Sequence, residues 1–170
     1  MSYGATAKVF HWTVVVLLAV QYLIAWLMPD VGSGRPPGAA MALHASFGIL
    51  LLVLTLLRLA WRWTHPVTLD SSLTPWERLA SKAVHWLLYT LVFAATLSGW
   101  MLASLRGWSV SFFYLVRLPM LCPTTATAEA IVELHQASEL ALLVMIGLHV
   151  GAAFAHAVIR RDGVMQRMLP

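Results

Sequence analysis

The sequence predicts an all-α integral membrane protein, a four-helix bundle with both termini on the cytoplasmic side. Three observations carry this expectation. Hydrophobic residues make up 60% of the 170 and charged residues only 11%, with a mean hydropathy of +0.78, far above an ordinary soluble domain. Four apolar runs are each long enough to cross a hydrocarbon core of ~30 Å, which takes about 20 helical residues. The connections between them are mostly short and rich in turn formers, so the whole chain, 1–170, reads as a single transmembrane domain.

The first run covers roughly residues 9–28. It exceeds the apolar core of a secretory signal, and no small-residue cleavage pattern follows it, so it is expected to remain as a span. A turn-rich connection with Asp30, Gly32, Gly34, Pro36 and Pro37 leads to the second run, 39–60. Pro66, Asp70, Ser71, Ser72 and Pro75 mark the next connection, and the third run covers 79–102. Residues 105–128 are longer and mixed, with Trp108, Phe112, Phe113 and Tyr114 ahead of Pro119 and Pro123. This segment is expected to lie along the membrane surface and to cover part of the bundle. The fourth run covers 130–159.

Basic residues set the orientation. Lys8, Arg58, Arg62, Arg78, Lys82, Arg160, Arg161 and Arg167 fall on the side of the termini, against Arg35, Arg106 and Arg117 on the other. Both termini are therefore expected in the cytoplasm. Most of the tryptophans, among them Trp12, Trp26, Trp61, Trp76, Trp100 and Trp108, sit near span ends, where an aromatic belt belongs. The net charge of +4 is then mainly a topology signal directed at anionic lipid, and no nucleic-acid motif accompanies it. Cys122 is the sole cysteine, which excludes an intrachain disulfide and a thiolate metal site. No phosphate-binding glycine loop, nucleophile elbow or pair of carboxylates supports hydrolysis or phosphoryl transfer.

Histidine remains. Seven occur, in spans almost free of acidic residues, and polar groups at membrane depth are costly and usually functional. In "ELHQASELALLVMIGLHVGAAFAH", His135, His149 and His156 are separated by fourteen and then seven residues. At about 100° per residue these steps return to nearly the same helix face, giving one stripe. The longer step also spans about 21 Å along the axis, one histidine toward each leaflet. His44 matches His135 in depth, and His11 matches His149 more loosely; His85 lies at nearly the depth of His149 as well, so depth alone leaves His11 and His85 open.

Facing imidazoles at matched depth can clamp a flat macrocycle, and an axial imidazole pair suits low-spin haem iron. Without a Cys-x-x-Cys-His sequence, two such haems would be held non-covalently, as haem b. Gly48, four residues beyond His44, and Gly147 and Gly151, flanking His149, would leave room for a porphyrin. A zinc or proton pathway would gather carboxylates beside the imidazoles; only Glu133 and Glu139 are near, at the outer edge.

These pieces resemble the bacterial cytochrome b561 family in order and spacing across nearly the whole chain: "KVFHW" from Lys8, "HASFGILLLVLTLLRLAWR" from His44, "HWLLY" from His85, "ELHQASE" from Glu133 and "GLHVGAAFAH" from Gly147. The resemblance implies a multi-pass protein of the bacterial inner membrane. It implies one haem between His11 and His149 near the cytoplasm and another between His44 and His135 near the periplasm, and so favours His11 over His85. His85, His156 and Lys82 are then expected to form a quinone pocket beside the inner haem, while His65 is expected to be a solvated residue at a loop edge.

The family's diffusible-substrate members resemble a superoxide oxidase, passing electrons from periplasmic superoxide through both haems to ubiquinone. Arg35, Arg106 and Arg117 on the outer face would steer an anion such as superoxide toward the outer haem. The alternative that the resemblance offers is a cytochrome b anchor relaying electrons for a partner dehydrogenase or hydrogenase. A more remote one is a histidine-based metal or proton transporter.

Overall fold

The computed structural model describes residues 3–29, 37–66, 73–124 and 128–169. Arg35, counted above among the outer arginines, lies outside the described residues. Among them, four helices are long and apolar enough to cross a membrane: α1 (Ala5–Leu27), α2 (Ala39–Thr64), α3 (Pro75–Leu105) and α4 (Glu129–Phe154), the last running on through a π-helical turn, Ala155–Arg160. The expected runs are all present. Most extend beyond the apolar stretch by several residues, because a helix need not stop where hydrocarbon ends.

Local chemistry fixes the ends. At the start of α3, Pro75 follows Thr74, whose N–H and hydroxyl both donate to Glu77 Oε2, at 2.8 and 2.7 Å, closing a capping box. At its end Gly107 takes φ +71°, which a side chain would resist, and lets the Trp108 N–H return to the Ala103 carbonyl at 2.8 Å.

Close backbone packing joins α1 to α2, α2 to α3 and, most extensively, α3 to α4. By contrast α4 meets α1 and α2 mainly through side chains, leaving two looser seams. Val14, Leu17, Leu51, Val92 and Leu142 form a buried layer drawn from all four helices. Large residues such as Leu56, Val144, Leu148 and Ile159 stay exposed, as lipid-facing surfaces require. Apolar burial does not drive helix association in lipid, so the central layer holds by close van der Waals packing.

The two ends are closed differently. Residues 105–124 fold back onto the bundle as a short antiparallel hairpin, β1 (Ser111–Phe112) and β2 (Val116–Arg117), with Phe112 opposite Val116. The buried Ser46 hydroxyl accepts the Phe113 N–H at 3.0 Å and lies 2.9 Å from the Ser111 carbonyl, pinning the hairpin to α2. Val110 packs with Ile49 and Ala103 beneath Trp100 and Trp108. The segment expected along the surface thus covers the bundle. At the other end the C-terminal tail crosses the start of α1: Trp12 Nε1 donates to the Met168 carbonyl at 3.0 Å, and the Tyr3 N–H to that of Arg167 at 3.2 Å.

Candidate functional site

Two histidine clusters lie along α4, one on each side of the central apolar layer. At the hairpin end, His44 of α2 and His135 of α4 face each other with ring centroids 6.4 Å apart. His135 Nδ1 lies 2.9 Å from the Ala95 carbonyl and 3.1 Å from Ser98 Oγ, so its N–H points at α3 and Nε2 is the ring's other nitrogen. Glu139 Oε1, one turn further on, stands 3.0 Å from that nitrogen. His44, His135 and Glu139 bring their donor atoms within 4.8 Å of one another. His44 Nδ1 is buried without a protein partner, which marks it as a nitrogen awaiting one from outside the chain.

This end opens into a cavity of about 1110 Å³ that both histidines line, together with Gly48, Gly99, Arg106 and Arg117. A Cβ at Gly99 would come within 2.9 Å of His135 Cε1, so only glycine lets that ring lie against α3. At Gly48 the nearest atom to such a Cβ is the Gln21 amide nitrogen, at 3.1 Å, whereas a Cβ at Gly147 or Gly151 meets no protein atom within 4 Å.

At the terminal end three rings converge. His149 lies 6.4 Å from His11 and 5.4 Å from His85, centroid to centroid. His85 Nδ1 donates to the Ser81 carbonyl at 2.6 Å, the ordinary i to i−4 tether of a helical histidine. His11 Nδ1 accepts from Arg58 Nη2 at 3.1 Å, and the Arg58 guanidinium also sits over the Tyr89 ring, 5.6 Å from its centre. A cation is thereby held inside the bundle, where it needs such partners.

Geometry distinguishes the pairs. Two imidazoles that shared one metal through nitrogens about 2 Å from it would stand up to roughly 6.3 Å apart between centroids. The 6.4 Å of His11 and His149 and of His44 and His135 lies near that separation, and the 5.4 Å between His85 and His149 lies further from it. Both suited pairs bridge the looser seams of the bundle, the inner one between α1 and α4, the outer between α2 and α4. The orphaned nitrogen of His44 and the glycine clearance at residue 99 fit the same group.

The remaining expected residues fall elsewhere. His156, beyond the inner cluster, pairs with Asp162 at 2.5 Å and lines a separate small pocket. Lys82 is exposed on α3. His65 is exposed and stacks on Trp61, 3.7 Å between centroids. Arg106 lies over Trp108 at 5.0 Å, and Arg117 is exposed on β2. Outside the spans, partial desolvation works to raise the Asp162 carboxyl, yet hydrogen bonds from His156 and the Val164 N–H outweigh it and hold the group below its ordinary value.

Four residues at or near these clusters escaped sequence reasoning. Glu139 was expected at the interface, but its place one turn after His135 was the available signal. Arg58 was read only as a topology charge, although a cation inside "TLLRLAWR" already asks for a buried partner. Gly99 was visible only as one more glycine in a membrane helix. Asp162 gave no signal, because its contact depends on a break in the helix.

Comparison with known proteins points the same way. The model of the family described as prokaryotic cytochrome b561 matches residues 2–170. The Escherichia coli (strain K12) protein named cytochrome b561 homolog 2 is 29% identical over 170 residues, 98% of this chain and 90% of that relative. Cytochrome b561 homolog 1 of the same organism is 26% identical over 177 residues, covering 99% and 97%. A Yersinia pestis protein named probable superoxide oxidase CybB is 27% identical over 165 residues, covering 94% and 91%.

Proposed function

This chain belongs to the prokaryotic cytochrome b561 family of haem b membrane electron-transfer proteins, and on that premise we propose that it oxidises periplasmic superoxide and reduces ubiquinone across the bacterial inner membrane. In this reading the whole chain is one transmembrane domain with both termini in the cytoplasm. His44 and His135 hold an outer haem b, and His11 and His149 an inner one. The observation that carries the reading is the repeated 6.4 Å spacing of two histidine pairs on opposite sides of an apolar layer. When bound, the two haems supply one-electron transfer along the bundle.

The chain's own residues do the rest. Arg106 and Arg117 line the cavity that His44 and His135 also line, so a small anion meets positive charge on the way to the outer pair. The Ala95 carbonyl and Ser98 fix the His135 ring. Leu17, Leu51, Val92 and Leu142 keep water out of the layer between the two clusters. His156, at the cytoplasmic end, is assigned to the quinone, while His85, beside His149, and the exposed Lys82, both expected with it in one pocket, do not line the pocket of His156. The name of the Yersinia pestis relative supports superoxide as the donor.

The test is whether the purified protein alone reduces a short-chain ubiquinone when supplied with superoxide. The expected rate falls with ionic strength and falls several-fold when Arg106 and Arg117 are neutralised, because steering is screened over a Debye length of about 10 Å at 0.1 M salt. A di-haem protein inert to superoxide would instead be an electron relay for a partner dehydrogenase or hydrogenase. A colourless, folded protein that binds zinc through His44, His135 and Glu139 would be a metal carrier.

A further inference from the structure

The terminal end of α4 holds a histidine and a carboxylate that the electron path does not use. His156 Nδ1 stands 2.5 Å from Asp162 Oδ2, and the two side chains are only 19% and 16% exposed. On a regular helix, residues six apart point about 120° away from each other, so this contact needs the helix to break. The break is built in: residues 155–160 form a π turn, Arg161 adopts a left-handed conformation with φ +53°, and Gly163 follows with φ +80°. Asp162 Oδ1 accepts the Val164 N–H at 3.2 Å, and the Asp162 N–H returns to the His156 carbonyl at 3.4 Å. Such π turns and left-handed residues without glycine are unfavourable and recur at functional sites.

An ionised carboxylate only accepts, so His156 Nδ1 carries the hydrogen and Nε2 is the nitrogen left over. His156 lines a pocket of about 340 Å³ with Trp76, Glu77, Ala152, Ala155 and Arg160. Trp76 offers a flat aromatic wall, the two alanines leave width for a ring, and Glu77 is engaged in an ion pair with Arg160. The volume lies within the usual range of small-molecule sites.

We infer that this pocket receives the quinone head group and that Asp162 is the positioning residue that holds His156 as proton donor to a quinone carbonyl oxygen. The inference rests on the quinone-reducing reading above. Reduction of one quinone to quinol takes two electrons, one from each of two superoxide ions oxidised to dioxygen, and two protons, one on each carbonyl oxygen. His156 supplies the proton of the carbonyl oxygen it faces, its Nε2–H bond breaking as that quinone O–H bond forms, while the oxygen across the ring takes its proton from water. Neutral His156 keeps its Nδ1–H on Asp162, and a proton from the aqueous side returns to Nε2. The short contact with a carboxylate aims the ring. Glu77 and Arg160 are the other charged groups lining the pocket, and each is engaged with the other.

The experiment uses the full-length, haem-loaded protein in detergent, with its haems reduced beforehand and then mixed with a short-chain ubiquinone. Asp162→Asn is expected to lower the maximal reoxidation rate roughly tenfold, within what a general acid contributes. Its half-saturating quinone concentration stays within about twofold of wild type, its solvent deuterium isotope effect rises, and haem reduction by superoxide is unchanged. Asp162→Glu restores most of the rate. Histidine ¹⁵N spectra show the Nδ1–H form of His156 in wild type and not in Asp162→Asn. His156→Gln, which leaves the Asp162 backbone bonds in place, slows the same step. Wild-type reoxidation in Asp162→Asn or in His156→Gln overturns the assignment of the pair. A wild-type protein that is reduced by superoxide but never reoxidised by quinone overturns the quinone reading itself.

Discussion

The two ends of the bundle carry histidine pairs of the same 6.4 Å spacing in opposite electrostatic surroundings. At the hairpin end the neighbours of His135 are a carbonyl, a hydroxyl and the Glu139 carboxylate. At the terminal end His11 meets the Arg58 guanidinium, with His85 as a third ring beside His149. A negative neighbour favours the more positive, oxidised state of an iron centre and a cation favours the reduced state. Under the proposed haem assignment, the contrast would bias electrons from the hairpin end toward the terminal end.

Substitutions at both ends and a change of pH test that contrast. The largest effect is expected from Gly99→Leu, because even a Cβ there comes within 2.9 Å of His135 Cε1. Overpacking of this kind costs about 1–3 kcal/mol locally. The variant should retain the inner haem and lose the outer one, read as haem per chain and as the surviving visible spectrum. Equal loss of both would show that residue 99 supports the bundle generally.

Arg58→Gln removes the inner cation without removing a ligand. A unit charge acting over roughly 8 Å at an effective dielectric near 20 corresponds to about 2 kcal/mol, or on the order of 50–100 mV for one electron. The inner midpoint potential should fall by that order in a redox titration while the outer one holds. Glu139→Gln should raise the outer potential by less, since that carboxylate is about one-third exposed, at 31%.

The smallest effect concerns pH. Asp162 is held below its ordinary carboxylate value in the folded protein, so its tie to His156 is complete above that ordinary value and is lost only as pH falls through the lower, folded one. Hydrogen-exchange protection over residues 155–169, taken relative to the pH-dependent intrinsic rate, should be level from neutral pH down to about 5 and fall below about 4. Asp162→Asn should show the lower protection at every pH above that fall.

Much of this was legible in the sequence for a physical reason: a bilayer forces long apolar helices, and a helix turns fourteen residues into both a face and a depth. That is why His44, His135 and His149 could be placed at their ends without a structure. Depth alone leaves His11 and His85 open, because both lie near the depth of His149; the family resemblance favours His11, and the 6.4 Å between His11 and His149, against 5.4 Å for His85, supports the same proposal. Segment 105–128 was recognisable as membrane-seeking from its aromatic residues. Its hairpin, pinned by Ser46 with Phe113 and Tyr114 at positive φ, depends on tertiary contacts that no local pattern encodes. Asp162 was hidden for the same reason, reaching His156 only across a π turn.

The most direct measurement is the number of haems per chain in wild type, His11→Ala and His85→Ala, taken by pyridine haemochrome with low-temperature spectra to identify which centre survives. The account predicts two low-spin b haems in wild type, loss of the inner one in His11→Ala, and both retained in His85→Ala. Two haems in His11→Ala with loss of one in His85→Ala would move the inner iron to His85 and His149, contradicting the spacing on which the electron path is built.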